Sequence, residues 1–126
     1  MRLSKIPYVT LWAVRFDDMR KLYSDVLGLP VGEENKNFIM YETKGSKLAL
    51  HRLTKAHPLQ RSTVELHFEV NDVDEVFAAL QRKGVKFEDK PVNRPWGNRM
   101  ASFHDPEGYT VEIIGPLKQG EPVKGG

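Results

Sequence analysis

Two stretches of the chain carry apolar residues at helical spacing. Met19, Leu22, Tyr23, Val26 and Leu27 follow the acidic pair Asp17-Asp18, and Gly28 closes the run; Val73, Val76, Phe77 and Leu80 follow Asn71-Asp72, with Gly84 as the stop. An i, i+3, i+4, i+7 stripe describes a helix with one buried face, opened by a capping side chain and closed by glycine. Helices are therefore predicted over about 18–27 and 72–83. The stop glycines lie 56 residues apart, so the two helices occupy one structural role in a repeat.

A period-two segment precedes each helix. Leu66, Phe68 and Val70 alternate with Glu65, His67 and Glu69, and Val9, Leu11 and Ala13 alternate with Tyr8, Thr10 and Trp12. Laying the aliphatic faces on the helices equates Tyr8 with Glu65, a spacing of 57, one more than the helices show. A one-residue difference in the intervening turn can absorb this. After each helix the chain reads as short strands between turns: about 37–42 and 47–53, then about 86–88, 99–104 and 109–114. Asp105-Pro106-Glu107-Gly108 is the last of these turns, with no catalytic role. The prediction is an α+β fold of two βαβββ modules, about 6–53 and 63–115, within a single domain spanning 1–116. Residues 54–62, with His57-Pro58, connect the halves, and 117–126 form a flexible C-terminal tail.

The composition fits this picture. At 126 residues with 40% hydrophobic positions, the chain can bury a core without cross-links, and it has no cysteine. Thiolate metal sites, disulfides and cysteine nucleophiles are excluded, so any metal must be held by His and carboxylates. The formal charge is only +2 and the basic residues are scattered, which points away from nucleic acid. No window approaches the roughly 20 apolar residues of a membrane span, and the expectation is a cytoplasmic protein without membrane association.

Each module should cover one sheet face with its helix and leave the other open. Two modules, side by side in one chain or paired across subunits, make a cupped sheet with the helices on its convex side. Parity places Tyr8, Thr10, Trp12, Ala49, His51, Glu65, His67, Glu69 and Glu112 on the concave side. Ionisable groups on such a face are costly to bury, and function should reside there. His57 and His104 fall outside the cup.

The order Tyr8-Val9-Thr10-Leu11-Trp12, Leu22-Tyr23-Ser24-Asp25-Val26-Leu27-Gly28-Leu29, Phe68-Glu69-Val70-Asn71-Asp72-Val73-Asp74, Trp96-Gly97-Asn98-Arg99 and Phe103 through Glu112 resembles the vicinal oxygen chelate superfamily. That superfamily contains glyoxalase I, extradiol dioxygenases, fosfomycin-resistance enzymes and bleomycin-resistance binding proteins. The resemblance implies paired βαβββ modules, a small-molecule ligand and a homodimer. It also implies metal ligands at Tyr8, Ala49, Glu65 and Glu112, of which Ala49 cannot ligate and a neutral Tyr8 ligates poorly. A rearranged set remains: Glu65, Glu112 and an imidazole, with His67 on the same face as Glu65 and His51 on that of Ala49. Two carboxylates and a nitrogen suit a divalent Zn, Ni, Mn or Fe ion.

Two functional classes follow. One is metal-assisted lyase, isomerase or dioxygenase chemistry on adjacent substrate oxygens, with Glu112 or Glu65 moving a proton. The other is metal-free sequestration of an aromatic or cationic compound. In either, Tyr8, Trp12, His51, His67, Trp96 and Arg99 are candidate ligand contacts. Each has a plainer reading: the tryptophans as core, the histidines as hydrogen-bonded structural groups, and Arg99 as a sheet-edge residue paired with Glu.

Overall fold

The computed structural model describes all residues except 5, 56–60, 62–63 and 126. His57 and most of the predicted connection thus lie outside the described residues. The chain forms two compact units, Met1–Leu59 and Gln60–Gly126. In the first, β1 (Tyr8–Ala13) leads into α1 (Phe16–Arg20), which continues as a π-helical segment, Lys21–Val26, before β2 (Val31–Asn35), β3 (Phe38–Tyr41) and β4 (Lys47–Arg52). In the second, β5 (Glu65–Glu69) is followed by α2 (Val73–Arg82), β6 (Asp89–Asn93), β7 (Arg99–His104) and β8 (Thr110–Gly115). The sheets run β1-β4-β3-β2 and β5-β8-β7-β6, with the first pair of each parallel and the rest antiparallel. This is the βαβββ module, twice.

Each sheet presents its aliphatic face to its own helix. Phe16, Met19 and Tyr23 of the first helix are fully buried, as are Ala13, Ile39, Tyr41 and Leu50 of the sheet. In the second unit Val73, Ala101 and Ile113 form the core, joined by Val76, Phe77 and Phe87. Phe87 packs between Phe77 and Phe103, at ring-centroid distances of 4.5 and 5.1 Å. Asp72 caps α2, its side chain accepting the Glu75 N–H at 3.1 Å. Gly28 and Gly84 take φ of 71° and 94°, the left-handed conformation that ends a helix and that side chains resist.

Four local expectations are corrected. The first helix begins at Phe16, two residues before the predicted start, and Asp17 and Asp18 lie in its first turn, where they complement the helix dipole. The extra residue of the first repeat is absorbed in the helix, not in the turn: α1 and α2 start 57 residues apart while their stop glycines stand 56 apart. A π turn accommodates it, with Leu27 N–H bonding Leu22 O at 2.8 Å. Strand β2 was not predicted, and β6 begins at Asp89 where a strand at 86–88 was expected.

Beyond Pro116 the chain makes specific contacts. The buried Asn93 side chain donates to Lys118 O and Glu121 O and accepts the Lys118 N–H, and Lys124 N–H bonds Asn93 O. Polar side chains, rather than an apolar stripe, hold this segment. Among the described residues no helix is long and apolar enough to cross a membrane.

Candidate functional site

In the second unit, period-two alternation turns Glu65 and His67 of β5 to the face opposite α2. The parallel register sets His67 beside Glu112 of β8, the antiparallel register sets Glu112 beside Ser102 of β7, and Ser102 pairs with Asp89 of β6. A polar row thus crosses the whole sheet. His67 bridges two carboxylates, Nε2 lying 3.4 Å from Glu65 and Nδ1 3.1 Å from Glu112. A neutral imidazole has one N–H and donates to one of them, its other ring nitrogen being an acceptor. At the far end of the row the Ser102 hydroxyl donates to Asp89 at 3.0 Å.

Glu112 is the most enclosed of the three, its side chain 17% exposed. Burial pushes its carboxyl above the ordinary range; His67 opposes the shift, while Glu65 and Asp89 reinforce it. One ligand atom from each of Glu65, His67 and Glu112 lies within 4.8 Å of the others. Two hard oxygens and one borderline nitrogen at this separation fit a divalent ion of the zinc, manganese or iron type. Beside Glu112 lies a hollow of about 190 Å³, lined also by Asp89, Arg94, Trp96, Met100 and Ser102.

The remaining candidates divide between the two units. In the first unit, Trp12 and His51 are register partners and stack at 4.1 Å, with Phe38 edge-on to His51 at 5.9 Å. His51 Nδ1 lies 3.1 Å from Arg52 O. Tyr8 is exposed at the start of β1, and Ala49 is fully buried.

Trp96 does line the hollow, its indole N–H donating to Met100 Sδ at 3.2 Å. Arg99 does not. It lies on the helix side of β7, only 4% exposed, bonded through Nε and Nη2 to both oxygens of Asp74 and through Nη1 to Glu121 and Asn93. The guanidinium is engaged by Asp74, Glu121 and Asn93, on an interior strand of the sheet. His104 is exposed beside Glu88, and Asp105 closes its turn by accepting the N–H groups of Glu107, Gly108 and Tyr109.

Sequence reasoning missed Asp89, Arg94, Met100 and Ser102. Strand parity from Arg99 to His104 could have found Met100 and Ser102 on the Glu112 face. Asp89 could not be found while β6 was placed too early.

Fold and cluster together define a glyoxalase-type protein, and comparison with known proteins agrees. Residues 6–118 match the glyoxalase-like domain, and the chain belongs to that family within the vicinal oxygen chelate superfamily. It is 32% identical over 123 residues to the Bacillus subtilis (strain 168) protein YraH, covering 86% of this chain and 96% of that protein. A glyoxalase/bleomycin resistance protein/dioxygenase from Nocardioides shares the fold at a TM-score of 0.78 and 22% identity, covering 100% of this chain and 92% of that one. Lactoylglutathione lyase from Agrobacterium tumefaciens does so at 0.74 and 20%, covering 96% and 100%.

Proposed function

We propose that this chain acts on a small molecule with adjacent oxygens, at a divalent-metal centre held by Glu65, His67 and Glu112. The observation that carries this reading is the convergence of those three donors on one sheet face beside a hollow. When bound, the ion supplies electrophilic stabilisation of negative charge developing on ligand oxygen. The chain's own residues do the rest. Trp96 and Met100 form an apolar wall that orients the ligand and excludes water. Glu112, half-buried at the edge of the hollow, is the carboxylate placed to take a proton from the ligand and return it. Such proton movement belongs to lyase or isomerase chemistry.

A second reading has its own support. Tyr8 and Ala49 occupy positions where metal-binding relatives place ligands, and the His67 ring already lies within reach of both carboxylates. On that reading the protein sequesters its ligand without metal, as a bleomycin-resistance-type binder. Metal analysis of protein purified without chelator separates the two. Near-stoichiometric zinc, nickel, manganese or iron, reduced by Glu112→Gln, supports the centre; metal-free protein that takes up none of these ions leaves the binder.

The proposal includes a homodimer. Each four-stranded sheet ends in two edge strands, β1 and β2 in one and β5 and β6 in the other, and pairing between copies would cover some of these edges.

A further inference from the structure

The hollow beside Glu112 holds a cation, Arg94, whose charge acts on the Glu112 carboxyl from a distance and opposes its upward shift. Arg94 sits at the end of β6, its guanidinium carbon 5.9 Å from the centroid of the Trp96 ring. Its Nη1 donates to the Lys124 carbonyl at 3.2 Å. Among the described residues no carboxylate lies within ion-pair distance of it, in contrast to Arg99, which bonds Asp74 and Glu121. The acids of the hollow have other partners: Asp89 accepts from Ser102 and Glu112 faces His67.

The placement of Arg94 is built into the fold. The neighbouring Asn93 is nearly fully buried and clamps Lys118 and Glu121 with its side chain and Lys124 with its carbonyl. The strap so formed presents Lys124 O to Arg94. Across the β6–β7 turn, Arg94 N–H bonds Asn98 O at 2.8 Å. The indole bond to Met100 fixes Trp96 while leaving it 57% exposed. A guanidinium lying over part of an exposed indole is suited to an anion attached to a planar group, because its remaining N–H donors can meet the acid while the planar group packs on the exposed part of the ring. The volume, about 190 Å³, lies below the roughly 300–1,000 Å³ of a drug-sized pocket, which limits the ligand to about one ring.

We infer that Arg94 selects the ligand: the hollow takes a small planar organic anion, its plane against Trp96, its carboxylate or phosphonate on Arg94 and its other end toward Glu112. This rests on the reading of that sheet face as the ligand site, and it is independent of whether a metal is bound. A neutral analogue of the same shape would leave Arg94 facing the ligand without an acceptor of matching charge.

Titration calorimetry of the full chain with benzoate, phenylphosphonate and the neutral benzamide tests the inference. At least one anion should bind saturably, and benzamide should bind at least about tenfold more weakly. Arg94→Ala should lower affinity for that anion by about tenfold or more, and Arg94→Lys by less, with the melting midpoint of Arg94→Lys unchanged. The preferred anion tells carboxylate from phosphonate recognition. Equal affinity for benzamide, unchanged anion affinity in Arg94→Ala, or no saturable binding of either anion would overturn the inference. Zinc-induced melting shifts on the same proteins keep the two proposals apart. A zinc shift with Arg94-independent binding overturns only this inference, and Arg94-dependent binding without a zinc shift overturns only the metal centre.

Discussion

A carboxylate set between an imidazole and a second carboxylate reports its surroundings through its proton. Burial raises the Glu112 carboxyl above its unfolded value, so the folded chain holds that proton more tightly and stability declines as pH rises through the interval between the two values. In chelator, Glu112→Gln should lack this decline, which denaturant titrations across mildly acidic pH will read as a difference growing in the variant's favour. Asp74 behaves oppositely. Its hydrogen bonds from Arg99 hold its carboxyl below the ordinary range, so its contribution is complete above the unfolded value and is lost as pH falls through the folded one. Asp74→Asn should lower stability at neutral pH and flatten the acid limb of the same curves. Arg99→Ala should cost roughly 2 to 3 kcal/mol at neutral pH, since it takes the guanidinium from Asp74, Glu121 and the buried Asn93 and leaves them Lys118 as a partner, while the two acids keep partial access to water.

The elements show why some of the fold was legible and some was not. Both helical stripes and the alternation of β1 and β5 were readable because each has one face toward a core, whereas β7 and β8, buried on most positions of both faces, were readable from the Asp105-Pro106-Glu107-Gly108 turn between them. Strand β2, Val31-Gly32-Glu33-Glu34-Asn35, is exposed along its whole length and has no apolar face to betray it. A Cβ at Gly32 would meet the exposed Glu42 side chain, which would have to turn aside to admit it. The π segment was detectable only as a mismatch between strand spacing and helix spacing, and pattern alone could not say where the extra residue went. The structure puts it beside Tyr23 and Ser24, and the Ser24 hydroxyl lies 2.8 Å from the Tyr41 hydroxyl of β3. Tyr41→Phe and Ser24→Ala should each cost about 1 kcal/mol, and the double variant little more than either, as a double-mutant cycle in denaturant will show. The acidic cluster was legible by parity, since Glu65, His67 and Glu112 share one face in any register that buries Leu66 and Val111. Arg94 was not, because its role depends on the turn to Trp96 and on a terminal strap without hydrophobic pattern.

At the scale of the molecule, the repeat has divided its labour. The positions equivalent to Glu65, His67 and Glu112 in the first unit are Tyr8, Thr10 and Ala49, none of which offers a carboxylate or an imidazole. The first sheet carries instead the Trp12, His51 and Phe38 stack. Sedimentation equilibrium should find a dimer, consistent with the uncovered strand edges; a monomer at all accessible concentrations would remove that part of the proposal. The account depends most on the second-sheet cluster binding a divalent ion. The direct measurement is the melting midpoint of the chelator-stripped chain with and without added zinc, nickel or manganese, alongside Glu65→Gln and Glu112→Gln. A ligand that binds only the folded state stabilises it by RT ln(1 + [L]/Kd), about 2.7 kcal/mol at a hundredfold excess over Kd. The account predicts a rise of several degrees in the unmodified chain that both variants lose and chelator reverses; no shift with any of the three ions, or an equal shift in all three proteins, would contradict it.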